Sequence, residues 1–126
     1  MFIDDDGIVN FVHKSLVLKY FPDIETISYL WARDALSFFH QFKGTTELPE
    51  VIFLDINMPE IDGWEFIDEL NAMGVEVPIY ILTSSIDEKD KAKALTIPQI
   101  KGYYSKPFKL EKIQEILDKD FIDLKV

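Results

Sequence analysis

The sequence predicts an α/β fold, a doubly wound parallel sheet with helices on both faces. Three observations predict it. Short apolar runs alternate five times with longer stretches of helical period. Two of the runs, Val51–Leu54 and Val77–Leu82, are almost wholly apolar, the mark of strands covered on both faces by right-handed crossovers. The chain has 126 residues, 48% of them hydrophobic, which is one domain with ample material for one core and shows no repeat, low-complexity tract or interdomain linker.

The first unit is an apolar stub, Phe2-Ile3, ending in Asp4-Asp5-Asp6, with Asp6 placed to cap a helix whose apolar face is expected to be Ile8, Phe11, Val12 and Leu16. Thr26–Trp31, rich in β-branched and aromatic residues, reads as the second strand, and Asp34–Phe42 as the second helix. A loop, Gly44–Pro49, leads to the buried strand Val51–Leu54 and to a helix over Gly63–Met73 with Phe66, Ile67 and Leu70 on one face. The fourth unit pairs Val77–Leu82 with a charged helix, Asp87–Leu95. A fifth strand lies around Gly102–Ser105, and Leu110, Ile113, Ile116, Leu117, Phe121 and Leu124 close the chain at helical spacing.

Charge and composition narrow the function. With 13 Lys and Arg against 23 Asp and Glu the formal net charge is −10, which repels nucleic-acid backbones and anionic lipid and favours metal cations and basic partners. The absence of cysteine excludes disulfides, thiol nucleophiles and Cys-ligated metals, and is compatible with a cytoplasmic setting. Neither a secretory signal nor a membrane span is expected: the amino end is acidic, and the longest apolar runs are far short of the roughly 20 residues a bilayer needs.

In open α/β sheets ligands bind beyond the carboxyl ends of the strands. Here those ends deliver Asp4-Asp5-Asp6, Asp55 with Asn57, Thr83-Ser84-Ser85, and Lys106-Pro107. Each has a plain reading: a capped turn, a polar strand end, capping hydroxyls, a solvated lysine. Their coincidence at four strand ends is what the plain readings explain poorly. Converging carboxylates repel unless a cation or a lysine neutralises them, and hard oxygen donors with a lysine and a hydroxyl suit Mg²⁺ and a phosphoryl group. His13 and His40 have no partner at metal-ligand spacing and are expected on the surface. Trp31, Trp64 and the phenylalanines are expected in the core, because no basic residues interleave with them.

Phe2–Asp6, Phe53–Pro59 with Asp62-Gly63, Ile81–Ser84, and Gly102–Phe108 together resemble the receiver domain of two-component response regulators over essentially the whole chain. The resemblance implies a five-stranded sheet in the order 2-1-3-4-5 and a phosphoacceptor signalling switch. It implies that Asp55 accepts the phosphoryl group, and that Mg²⁺ is held by Asp5 directly, by Asp4 mainly through water, by Asp55, and by the main-chain carbonyl of Asn57. Thr83, with Ser84 beside it, would bind the phosphoryl oxygens, Lys106 would pair with Asp55 and then with phosphate, and Tyr103 would be an aromatic switch. It also implies a cis peptide at Lys106–Pro107 and, before phosphorylation, an outward or mixed Tyr103 with Thr83 unbonded to Asp55.

The implied partners are a sensor histidine kinase or a histidine phosphotransfer protein and a downstream protein that reads the surface of the fourth helix, fifth strand and fifth helix. Neither nucleic acid nor membrane is among them. Lys101–Tyr104 departs from the Ala-Asp-Asp-Tyr stretch of the winged-helix regulators, so a monomer or weak dimer is expected. Nothing resembling an output domain follows within this chain, which looks like a stand-alone regulator or a receiver excised from a hybrid kinase.

Catalysis is expected to be limited to the chain's own phosphorylation and dephosphorylation. An aspartyl-phosphate hydrolase would need an acid where Asn57 stands. A phosphorylation-independent interaction module of the same fold would not need Asp5, Asp55, Thr83 and Lys106 together, and a flavin site would need glycines that Thr83-Ser84-Ser85 lacks.

Overall fold

The structure, a computed structural model, describes residues 1–85, 87–106 and 109–120, with the main chain alone at 110, 117, 119 and 120. Five strands, β1 (Phe2–Ile3), β2 (Ser28–Tyr29), β3 (Ile52–Leu54), β4 (Ile79–Thr83) and β5 (Ile100–Ser105), form one parallel sheet in the order β2-β1-β3-β4-β5. They alternate with α1 (Gly7–Tyr20), α2 (Ala32–Phe42), α3 (Gly63–Ala72), α4 (Glu88–Leu95) and α5 (Leu110–Asp120). Among the described residues no helix is long and apolar enough to cross a membrane.

Strand alternation divides the core into two layers. Ile3, Ile52, Leu54, Ile79 and Ile81 point to one face and pack with Phe39 of α2 and Phe66, Ile67 and Leu70 of α3. Phe2, Phe53, Tyr80 and Leu82 point to the other, against Val17 of α1 and Ile113 and Ile116 of α5. There the rings of Phe2 and Phe53 stack at 5.1 Å, Phe53 and Tyr80 follow at 5.9 Å and Tyr80 and Tyr104 at 6.4 Å, a row crossing four adjacent strands. Tyr80 pairs in register with Gly102, where a Cβ would lie 2.7 Å from the Tyr104 ring. Of the expected apolar stripe of the last helix, Ile113 and Ile116 are buried. The side chains of Leu110 and Leu117, and residues Phe121 and Leu124, lie outside the described residues.

Three expectations are corrected. The second strand is two residues rather than six, because β2 is an edge strand whose ladder is limited by its one partner, the equally short β1. The larger correction concerns α1. Its expected core face is turned outward, with Ile8 75%, Phe11 69% and Val12 46% exposed, while Leu16 is half-buried and Asn10, His13 and Val17 face inward. His13 is therefore a core residue, 6.0 Å from the Phe2 ring, and burial lowers its pKa against the opposing pull of Asp4. His40 is exposed as expected. Trp31 is the third correction: it lies at the surface with the Arg33 guanidinium 5.5 Å above its ring, whereas Trp64 is half-buried under Lys93.

The loop after β3 is held by local chemistry. Asp62 accepts from the Glu65 N–H at 2.9 Å while Glu65 accepts from the Asp62 N–H at 3.3 Å, a reciprocal cap that starts α3. Gly63 lies so close to the loop leaving β3 that a Cβ would be 2.6 Å from the Ile56 Cα.

Candidate functional site

The carboxyl ends of β1, β3, β4 and β5 open on one crevice. β1 is followed by Asp4, whose Oδ1 accepts from the Asp6 N–H at 2.9 Å; Asp6 in turn caps α1 through the Ile8 and Val9 N–H groups at 2.9 and 3.4 Å. β3 is followed by Asp55, 5% exposed, whose main-chain N–H donates to the Ile3 carbonyl across the ladder at 2.9 Å. Pairing between β4 and β5 continues one residue past the strand, with the Lys106 N–H on the Thr83 carbonyl at 2.9 Å. That last bond aims the lysine side chain back at the acids.

Lys106 Nζ is paired with Asp4 Oδ2 and lies 3.2 Å from Asp55 Oδ2. The other Asp55 oxygen accepts from the Asn57 N–H at 3.2 Å, so both carboxylate oxygens are oriented. Burial raises the Asp55 pKa; Lys106 and the Asn57 N–H oppose it and favour the ionised form, while Asp4 adds to the rise. Burial also works against the Lys106 ammonium, but its hydrogen bond to Asp4 and the charges of Asp55 and Asp4 outweigh it and hold its pKa above the usual lysine value.

Asp4, Asp5 and Asp55 each offer one carboxylate oxygen, all within 4.8 Å of one another. Two oxygens on one Mg²⁺ lie at most about 4.2 Å apart, given metal–oxygen distances near 2.1 Å. The three therefore fit such an ion after a small inward movement, and hard carboxylate donors are the right type for it. Asp5 is the exposed member and the one free to close.

The sequence-expected residues are not all brought together. Thr83 is buried at the end of β4, and its hydroxyl oxygen accepts from the Asn57 side-chain amide at 3.4 Å and the Ser85 N–H at 3.1 Å. No hydrogen bond joins it to Asp55 among the described residues, as expected. Ser84 is exposed beside it, with no described bond to the carboxylates.

Tyr103 overturns the expectation of an outward or mixed ring. It packs against the α2 and α3 core layer and its hydroxyl is buried. The ring is held in by apolar contact at a strand position paired with Ile81. Ser85 is near the hydroxyl, but its own hydrogen goes to Asp90 at 2.8 Å, and no aligned bond to Tyr103 forms. Pro107 is outside the described residues, and so is the expected cis peptide.

Sequence reading missed one polar residue here. Asn10 is buried in the first helix with its amide on two strand ends. The available signal was the spacing of Asn10, His13 and Val17, which marks one helical face, but the more apolar set on the opposite side outweighed it.

A family model described as the response regulator receiver domain matches residues 1–118. The chain is 36% identical over 72 residues to the KDP operon transcriptional regulatory protein KdpE of Escherichia coli, an alignment that covers 57% of this chain and 31% of that protein. It thus spans about a third of the length of the curated relatives it matches. Among solved structures it is similar to a two-component response regulator from Cytophaga hutchinsonii, with a TM-score of 0.82, 31% identity, and coverage of 96% of this chain and 94% of that one. A response regulator receiver protein from Dyadobacter fermentans follows with a TM-score of 0.78, 25% identity, and coverage of 95% and 94%.

Proposed function

The chain belongs to the response regulator receiver domain family, and from that premise we propose that it is a phosphoacceptor switch that takes a phosphoryl group onto Asp55. One observation carries the reading: the oriented, buried Asp55 carboxylate lies 3.2 Å from Lys106 and within a shared oxygen cluster with Asp4 and Asp5. The donor is a phosphohistidine on a sensor kinase or phosphotransfer protein. Its N–P bond breaks as the bond from an Asp55 oxygen to phosphorus forms, and the imidazole leaves with the bonding pair. Little covalent help is needed in so loose a transition state, so orientation of the carboxylate and neutralisation of charge dominate.

Mg²⁺ bound by Asp5, by Asp4 mainly through water, by Asp55 and by the Asn57 carbonyl would supply charge neutralisation at the transferring oxygens. Lys106 neutralises from the other side. Thr83, whose hydroxyl oxygen accepts from Ser85 and Asn57, keeps its hydroxyl hydrogen to donate to the phosphoryl group. The amide at Asn57 supports a switch rather than a hydrolase, since a hydrolase would need an acid there. The basic test is phosphorylation by a small donor: one group per chain, dependent on Mg²⁺ in the near-millimolar range typical of a loose site. Asp5→Asn is expected to raise the Mg²⁺ requirement at least about tenfold, the loss of one charged ligand from a sparse set. An unchanged Mg²⁺ dependence would remove Asp5 from the site.

A protein donor must cover the rim of the crevice, because Asp55 lies at its bottom. The first two turns of α1, which starts directly after the acidic turn, expose Ile8, Phe11 and Val12, with Leu30 packed beside Gly7. Burying them under the donor explains an apolar stripe facing outward on a chain of net charge −10. Phe11→Asp is expected to lower kcat/KM with the protein donor by about tenfold or more, the scale of a single interface anchor, and to leave the small donor's rate unchanged. Equal loss with both donors would place the effect in the crevice instead.

The output follows from replacing the single charge of the Asp55 carboxylate by an acyl phosphate carrying about −1.5 to −2, with three new acceptor oxygens. Thr83 has its hydroxyl oxygen on the Ser85 N–H, and Ser85 is tied to Asp90 of α4, so drawing Thr83 to phosphate disturbs the start of α4 next to Tyr103. Thr83→Ala is expected to accept phosphate while losing most of the response of α4 and β5, read by amide chemical shifts before and after phosphorylation. A response as large as in wild type would place the coupling elsewhere.

A further inference from the structure

We propose that Asn10 is the positioning residue of the acidic turn, setting the place of Asp5 by gripping the main chain on both sides of it; this rests on the cation-dependent reading above. The three-residue turn Asp4-Asp5-Asp6 carries the exposed Asp5 at its middle, and among the described residues no hydrogen bond holds the Asp5 carboxylate. Its location is therefore set by the main chain of the turn. Asn10 bonds that chain at both ends: its side-chain Nδ2 donates to the Asp4 carbonyl at 3.0 Å, and its main-chain N–H donates to the Asp6 carbonyl at 3.2 Å. The same Nδ2 also reaches the Tyr29 carbonyl at 3.2 Å, which ties the turn to the end of β2, where Tyr29 already accepts from the Asp4 N–H at 3.1 Å.

The energetics argue that geometry, not stability, is what this amide provides. Asn10 is buried, yet its Oδ1 has no hydrogen-bond partner among the described residues. A buried acceptor left unpaired offsets much of what the two donated bonds contribute. A leucine, with the same branching at Cγ, would remove that orphan oxygen and add apolar contact, at the expense of the Asp4 carbonyl. The amide is thus a poor choice for a core position and a good one for fixing a carbonyl at the rim of a site. Asp5 is also the member of the oxygen cluster that must close inward around a cation, so its travel is limited by how firmly Asp4 and Asp6 are held.

The test compares Asn10→Leu with Val17→Ala, a core truncation on the same helix, in the full chain. Mg²⁺ affinity is read by amide chemical shifts, with thermal unfolding measured in parallel and the Asp5 amide line shape recorded without metal. Loss of a group that orients a metal ligand costs about 10- to 100-fold in affinity, so Asn10→Leu is expected to weaken Mg²⁺ binding at least about tenfold. It should also broaden or shift the Asp5 amide in metal-free protein, while Val17→Ala lowers the melting temperature and binds Mg²⁺ as wild type does. Binding by Asn10→Leu within twofold of wild type, or an equal loss in Val17→Ala, overturns the role. If Asn10→Leu does not fold, Asn10→Asp decides: it keeps the outline, lacks the N–H donors, and by charge alone would tighten a cation. Weaker binding by Asn10→Asp supports the role and equal or tighter binding overturns it. Absence of Mg²⁺ binding by wild type would overturn the cation-dependent reading itself and this role with it.

Discussion

Asp55→Asn is expected to abolish phosphorylation, reducing the label from one group per chain to none above background by intact-mass measurement. The amide keeps the shape of the buried side chain but has no anionic oxygen to attack phosphorus. In wild type the product is an acyl phosphate and should be lost in base or hydroxylamine. Residual labelling of the variant at Asp4 or Asp5, the other acids of the crevice, would move the nucleophile there. The same variant carries a stability signature. Burial raises the Asp55 pKa in the folded chain, so the folded state holds that proton more readily than the unfolded one. Stability from protonated Asp55 is present below the unfolded value and is lost as pH rises through the folded value. Asp55→Asn should therefore unfold at a higher temperature than wild type near neutral pH, with the difference shrinking in acid.

Lys106→Ala is expected to cost about 3 kcal/mol of folding stability at neutral pH, the scale for removing one partner of a buried ion pair. Asp4 and Asp55, both buried, would be left without the ammonium that sits between them. Wild-type Lys106 contributes stability that is present below the ordinary lysine value and is lost only as pH rises through its raised folded value, well above neutrality. The variant behaves differently. Without the ammonium the folded chain favours protonated Asp55 more strongly, so the gap from wild type should narrow as pH falls toward about 4, near the ordinary carboxylate range. Mg²⁺ should restore part of the loss, since a ligand that binds the folded chain alone stabilises it by mass action. Denaturant unfolding at two pH values, with and without Mg²⁺, reads all three effects. A gap independent of both pH and Mg²⁺ would mean that Lys106 acts through packing of its stem and not through its charge.

Much of this arrangement is legible along the chain because it depends on strand ends. A parallel strand buried on both faces must be apolar, and where the run stops a polar residue emerges at the same edge of the sheet. Leu54-Asp55 and Leu82-Thr83 are such stops, and the crossovers bring them to one crevice whatever the details of the loops. Lys106 follows the same rule, although β5 is a weaker pattern because none of its residues is fully buried. The caps at Asp6 and Asp62 are equally local, each set by a side chain within three residues of the N–H it satisfies.

The alternation of strands and helices, the strand-end acids and the lysine were thus determined by the sequence alone, since each depends on neighbours in the chain. The rotation of α1 and the place of Tyr103 were decided by tertiary structure. Apolar residues are spread around α1, including Ile8, Phe11, Val12, Leu16, Val17 and Leu18, so periodicity offers more than one face. The choice between them is made by contacts remote in sequence: the Asn10 amide on the Tyr29 carbonyl, the Phe2 ring beside His13, and Val17 in the core layer shared with α5. Tyr103 likewise sits where an apolar ring is favoured by Ile81 and the core behind it, at a position whose hydroxyl the chain leaves buried. Helical period fixes only that some face is buried. Which face it is depends on hydrogen bonds and volume supplied by other strands, and those exist only once the sheet has closed.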